Sequence, residues 1–133
     1  MKKLGMLTLA VAVILAVAAP AFAHHSFAAE YDSKKPVKLK GVVTKVEWLN
    51  PHVYFFIDVE DDHGKVSNWG FEMGPPNGLQ LSGWTKNTMK VGDEVTVEGT
   101  LAKDGSNQAN ARSVTMTNTG RRLGAASSEQ TNP

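Results

Sequence analysis

Histidines are the residues of this sequence whose type and spacing could carry out chemistry. His24 and His25 are adjacent, and His52 follows an Asn-Pro pair. If His24 begins the mature protein, its α-amine and ring Nδ1 chelate a metal ion, and His25 or His52 completes three nitrogens in one plane. An alternative set is the amine, the His25 amide and the His25 ring. Because tetragonal nitrogen sets suit Cu(II), we predict a site for copper or a similar metal at His24, His25 and His52.

The same histidines also have a structural interpretation. His24 and His25 could be polar residues of a mobile leader, and a histidine after Asn-Pro commonly bonds backbone carbonyls at the entry of a hairpin. His63 lies in an Asp-Asp-His-Gly turn, where we expect it to be solvated. The metal-binding and the structural interpretation both remain open for His24, His25 and His52.

An unusual strand face predicts a second binding surface. Residues 52–60 alternate in the manner of a strand with one face in a core. The other face begins with His52, Tyr54 and Phe56 instead of charged residues. Glu72 could lie across the hairpin from His52, as a metal ligand or a hydrogen-bond partner. The predicted ligand-binding residues are Trp48, Tyr54, Phe56, Trp69 and Glu72.

Such an aromatic surface suits a sugar, a peptidoglycan fragment, a small hydrophobic molecule or a protein partner. In the alternative interpretation, the leader with Phe27 and Tyr31 or the segment 75–84 covers the rings. The sequence has no Gly-rich phosphate loop, no His-Glu-x-x-His motif and no nucleophile elbow. We therefore expect a binding protein without catalytic residues, with copper as its one candidate cofactor.

The N-terminal residues predict export from a bacterial cell. Lys2 and Lys3 precede an apolar run, and small residues at Ala21 and Ala23 fit signal-peptidase cleavage after Ala23, with cleavage after Ala21 as the alternative. We expect a periplasmic or secreted protein that does not insert into a membrane after cleavage. Losing two lysines leaves 12 Lys and Arg against 13 Asp and Glu. This balance argues against nucleic-acid binding, which depends on clustered positive charge.

The order of the predicted elements indicates a mainly β fold, a small five-stranded barrel of the oligonucleotide/oligosaccharide-binding (OB) type. A phase change near Gly41 predicts a bulge or coil that lets the first strand serve two sides of the barrel. An open five-stranded sheet or another small barrel is the alternative. The predicted strands are 37–48, 53–60, 65–73, 94–101 and 109–117, with a short helical turn at 78–82 after the third. Residues 1–23 are assigned to the signal peptide, 24–36 to a leader, 37–117 to the barrel and 118–133 to a disordered tail.

Several motifs together resemble a family of small secreted bacterial proteins of unknown function. They are His24-His25-Ser26-Phe27, Trp48-x-Asn50-Pro51-His52, and Trp69 followed by Glu72, Pro76-Asn77, Leu79 and Gly83-Trp84. The resemblance covers nearly the whole mature chain. It implies an exported single-domain protein and brings no activity or site residues with it.

Overall fold

A computed structural model of the chain describes residues 26–131. The predicted signal peptide and the predicted metal ligands His24 and His25 lie outside this range. The elements are helix α1 (Ser26–Glu30), strands β1 (Tyr31–Glu47), β2 (Tyr54–Glu60) and β3 (Val66–Glu72), helix α2 (Pro76–Leu81), strands β4 (Glu94–Ala102), β5 (Gln108–Met116) and β6 (Arg122–Gly124), and a 3-10 helix (Ser128–Thr131).

The strands form one sheet that closes on itself. Their order is β3-β2-β1-β4-β5-β6, and a parallel pairing of β3 with β5 completes the ring. The strand-strand-strand-helix-strand-strand order of an OB-like fold is therefore present, as predicted, and β6 is an additional strand that the sequence did not indicate. Closure shortens the open sheet edge that could otherwise pair with other chains.

The long first strand joins the two halves of the barrel. Its first part pairs with β4 and its last part with β2, with Val42 opposite both Glu94 and Asp58. At Gly41 an added Cβ would lie 2.3 Å from the Asp58 backbone oxygen, so only glycine allows this close approach. The irregularity in register lies between Val43 and Lys45, slightly after the predicted position.

The core follows from the alternation along the strands. Phe55 of β2 and Phe71 of β3 face each other across the strand pair and stack with ring centroids 5.1 Å apart. Burial of side chains of this size stabilises a fold by about 1.5–3 kcal/mol each. The largest fully buried side chains around this pair are Trp84, Ile57, Met73, Leu79, Val43, Val53, Val95, Val97 and Val114.

The predicted leader is shorter than expected, since β1 begins at Tyr31 and not at residue 37. Tyr31 is opposite Ala102 of β4, and Pro36 is opposite Thr100, with an irregular register between the two pairs. The sequence did not predict this part of the strand, because the segment contains charged residues and a proline. Its pairing partners also come from a distant part of the chain. Tyr31 is thereby fixed in the sheet and is 6% exposed.

The expectation of a disordered tail is wrong for the segment after β5. Arg122–Gly124 pairs with β5, and Leu123 and Ala125 are buried. The indole nitrogen of Trp84 donates to the Gly124 carbonyl at 2.8 Å, and the Gly74 amide donates to the Ala125 carbonyl at 2.8 Å. These contacts are made mainly by backbone groups, which a polar composition does not reveal.

Between residues 26 and 131, no helix is long and apolar enough to cross a membrane.

Replacing Gly74 with alanine tests the packing of the C-terminal segment. An added Cβ would lie 2.1 Å from the Ala126 backbone oxygen, so we expect Gly74→Ala to lower the free energy of unfolding by about 1–3 kcal/mol. Gly124→Ala is the matched control, since nothing lies within 4 Å of a Cβ there. Urea denaturation measures both. Equal stability of the two variants would contradict the ordered segment.

Candidate functional site

The side chain of Glu72, at the end of β3, is a buried carboxylate bound by three donors. Its Oε2 accepts hydrogen bonds from the hydroxyls of Tyr31 at 2.7 Å and Tyr54 at 3.3 Å. Its Oε1 lies 2.9 Å from the Nδ1 of His52. Glu72 is 7% exposed. A buried carboxylate is costly unless donors surround it, so these three side chains and Glu72 form one interdependent cluster.

Strand register brings the cluster together. Tyr54 of β2 is directly opposite Glu72, and opposite residues of an antiparallel pair share a face. His52 precedes β2 by two residues, and its position is fixed because the backbone of Val53 exchanges hydrogen bonds with Met73 and Gly74 at 2.8 and 3.1 Å. Tyr31 comes from the start of β1, where the Phe27 ring of α1 lies 5.4 Å from its own.

Glu72 lines two neighbouring cavities. The first, of about 80 Å³ and here called the His52 cavity, is lined by Phe27, Glu30, His52, Tyr54 and Glu72. The second is the tyrosine groove, formed by two sections of about 450 and 250 Å³ that share Tyr31, Tyr54, Glu72 and Gln108. Tyr54 also lines both cavities, and Glu30 lines the His52 cavity and the larger section of the groove. The Glu72 carboxylate therefore lines both a small cavity that contains an imidazole and a larger groove that contains two phenols.

The wall of the groove depends on a glycine. Phe56 of β2 is opposite Gly70 of β3, and both line the smaller section. A Cβ added at Gly70 would lie 3.0 Å from the Phe56 ring, so the absence of a side chain makes room for the ring. The parallel pairing of Gly70 with Gln108 brings the β5 end of the groove beside it.

Both tyrosines of the cluster are held in their protonated form. Burial, followed by the hydrogen bond to Glu72, raises the pKa of Tyr31 well above its ordinary value. Burial, followed by the negative charge of Glu72, raises the pKa of Tyr54 to about 12. At neutral pH each phenol therefore donates its proton to the carboxylate and leaves its oxygen as an acceptor.

The structure brings together His52, Tyr54 and Glu72, as the strand pattern indicated, and Phe56 adjoins them in the groove. Trp48 and Trp69 lie apart from this cluster and pack against the hydrophobic core. Trp69 is opposite Ile57, on the core side of the strand pair.

Three further residues of the site were not identified from the sequence: Tyr31, Glu30 and Gln108. Tyr31 reaches Glu72 across 41 residues of chain. Glu30 ends α1 beside it, and Gln108 begins β5. No local pattern marks such contacts, because each depends on how distant strands close the barrel.

Within residues 26–131, no group of three His, Cys, Asp or Glu side chains has an arrangement that could hold a metal ion. This part of the chain offers the cavity one imidazole, that of His52, with its carboxylate partner Glu72. A metal site there requires further donors from outside the described residues.

Alkaline titration tests the cluster, because both tyrosines of the chain belong to it. The ordinary tyrosine pKa is 10.0, and we expect the ultraviolet absorbance of phenolate to show Tyr54 ionising near 12 and Tyr31 later still. Since the folded-state pKa values are raised, the stability that these groups contribute is complete below pH 10.0 and is lost as the pH rises toward 12. In Glu72→Gln, the Tyr54 pKa moves back toward 10.0. Ordinary titration of both tyrosines in the folded wild type would contradict the cluster.

Comparison with solved structures finds similarity at low sequence identity. The mitochondrial single-stranded DNA-binding protein Rim1 of S. cerevisiae has 9% identity and a TM-score of 0.50, covering 62% of this chain and 93% of its own. The N-terminal domain of the PriB protein from Thermoanaerobacter tencongensis has 19% identity and a TM-score of 0.44, covering 64% and 98%. The Rim1 similarity indicates a shared OB-like fold and nothing about ligands.

No curated protein matches the chain. Residues 11–111 match a family described as a family of unknown function, DUF6152. This match spans strands β1 to β4, the start of β5, and the residues that line the His52 cavity and the tyrosine groove. The chain therefore belongs to the DUF6152 family of unknown function.

Proposed function

We propose that this protein is an exported, non-enzymatic binding protein that holds copper or a similar metal ion with His52 and the N-terminal histidines His24 and His25. The observation that carries the proposal is the contact between His52 Nδ1 and Glu72 Oε1 at 2.9 Å.

This contact prepares the His52 ring for metal binding. The carboxylate accepts a hydrogen bond from Nδ1–H, so the neutral imidazole has its lone pair on Nε2. Metal-binding histidines commonly donate their other ring N–H to a carboxylate, which fixes the tautomer and orients the ring. The His52 side chain is 32% exposed and that of Glu72 is 8% exposed. The ring is therefore accessible, while the group that orients it is buried.

The chain connectivity supports the participation of the N-terminal histidines. Phe27 lines the His52 cavity, and it follows His25 by two residues and His24 by three. Since an extended chain spans at most about 3.6 Å per residue, the short separation in sequence is compatible with the proposal that both histidines supply ligands at this cavity.

The donor set favours copper. An α-amine and imidazole nitrogens form the tetragonal nitrogen sets that suit Cu(II). The chain has no cysteine to compete for a soft metal. Glu30, in the same cavity, adds a carboxylate that can neutralise part of the charge of a divalent ion.

A second candidate function is the binding of a protein or a small ligand by Tyr54 and Phe56, with structural histidines. The observation in its favour is that both rings are partly exposed and line a section of the tyrosine groove. The groove is compatible with a metal at His52, because His52 does not line it.

Copper titration of protein recovered from the periplasm tests the metal proposal. We expect the intact mass to show a chain beginning at His24 that binds one Cu(II). His52→Ala and one additional residue before His24 should each weaken binding strongly, since each removes nitrogen ligands. His63→Ala is the matched control, because His63 is exposed in a turn away from the cavity. Equal affinity of the wild type, His52→Ala and the extended form would overturn the proposal.

Glu72→Gln tests the orienting role of the carboxylate. We expect copper affinity to fall about 10- to 100-fold, because partners of this kind fix the ligand ring. The stoichiometry should not change, and the paramagnetic resonance spectrum of the bound Cu(II) should show an altered nitrogen environment. Glu60→Gln removes a carboxylate from the exposed far end of β2 and should bind copper like the wild type. A Glu72→Gln protein with unchanged affinity would show that the His52–Glu72 contact is purely structural.

A further inference from the structure

We infer that the tyrosine groove binds a small organic cation carrying alkylammonium groups. This inference goes beyond the proposed metal site. His52 lines neither section of the groove, whereas Glu30, Tyr54 and Glu72 line both the groove and the His52 cavity.

The groove presents hydrogen-bond acceptors and few donors. Tyr31 and Tyr54 commit their hydroxyl protons to Glu72, so their oxygens accept any further hydrogen bond. The carboxylates of Glu30, Glu47 and Asp104 also line the groove. A ligand that complements these groups must supply the donors, as an ammonium group does.

The charge of the groove points to the same ligand class. Lys103 is the one cation among the lining residues, and its ammonium group donates to the backbone oxygen of Ala28. Four carboxylates line the two sections, those of Glu30, Glu47, Glu72 and Asp104. The excess negative charge attracts cations and repels anionic ligands such as nucleic acid.

An ammonium group of the protein already contacts two residues that line the groove. The Nζ of Lys45 lies 5.6 Å from the centroid of the Phe56 ring and 2.6 Å from Glu47 Oε1. Glu47 and Phe56 both line the smaller section. This arrangement combines a cation–π contact with a charge-assisted hydrogen bond. A ligand ammonium can make the same two contacts if it displaces the exposed Lys45 side chain.

The shape of the groove favours an elongated ligand. Its two sections share Tyr31, Tyr54, Glu72 and Gln108 and extend toward Asp104 on one side and Glu47 on the other. A linear diamine offers two ammonium groups to the carboxylates of the groove and an apolar chain to its tyrosine rings. Putrescine, 1,4-diaminobutane, is a suitable probe.

Calorimetry and amide NMR with putrescine test the inference in the whole mature protein. We expect saturable binding with shifts of the Gly70 and Gln108 amides. Glu47→Gln should weaken binding about tenfold, the effect of losing one charge-assisted contact. Lys45→Ala should strengthen it, because the competing ammonium is removed. Glu60→Gln and Lys65→Ala are matched controls with the same charge changes at exposed positions outside the groove.

Two control ligands distinguish specific recognition of the diamine from general attraction of positive charge by the groove. 1,4-Butanediol has the length of putrescine without its charge and should not bind. Tetramethylammonium has one positive charge and no N–H donor, and it should bind more weakly. The form with one additional residue before His24 alters the α-amine ligand of the proposed metal site and none of the residues that line the groove. It should bind putrescine like the wild type, which distinguishes this site from the metal site. Absence of saturable binding, equal binding of butanediol, or equal effects of the matched control variants would overturn the inference.

Discussion

The burial of one carboxylate is the constraint on which this site depends. A glutamate as enclosed as Glu72 is tolerated because three donors satisfy it, and these come from the start of β1, from β2 and from the loop before β2. Removing any donor leaves a buried charge less well compensated, which costs more than the lost contact itself. The cluster therefore holds together the N-terminal end of β1 and the β2–β3 hairpin, and its geometry depends on the closed barrel.

Closure of the barrel is in turn a matter of backbone fit. β1 passes from β4 to β2 at Gly41, where no side chain has room, and β3 reaches β5 through the parallel pairing that places Gln108 beside Gly70. The C-terminal segment then packs on Gly74. These glycines permit close approach of strands. Since the groove lies between strands brought together in this way, its shape is set by the scaffold and not by flexible loops.

The sequence predicted the parts of this arrangement that depend on local periodicity. Alternation from His52 to Glu60 identified the core face and the opposite face of β2, and from it the pairing of His52 with Glu72 could be anticipated. Tyr31 could not be assigned to the site, because its role depends on pairing with β4 and on contact with Glu72 across 41 residues. β6 was not predicted for a related reason. Leu123 and Ala125 are buried, but they are two apolar residues among polar neighbours, and their partners are distant in the sequence. Trp69 looked like a ligand-binding ring, but its register with Ile57 directs it to the core side.

The two oxygens of Glu72 have different partners, and the two proposed binding sites share its one negative charge. Oε1 contacts the His52 ring, whereas Oε2 accepts hydrogen bonds from the hydroxyls of Tyr31 and Tyr54. A cation bound on either side is stabilised by the same carboxylate, and two cations bound together repel each other across it. Simultaneous occupancy is therefore less favourable than the sum of the two separate binding free energies. If both proposals hold, thermodynamic linkage requires that a metal ion at His52 lowers the affinity of the groove for an organic cation by the same factor as the organic cation lowers the affinity for the metal.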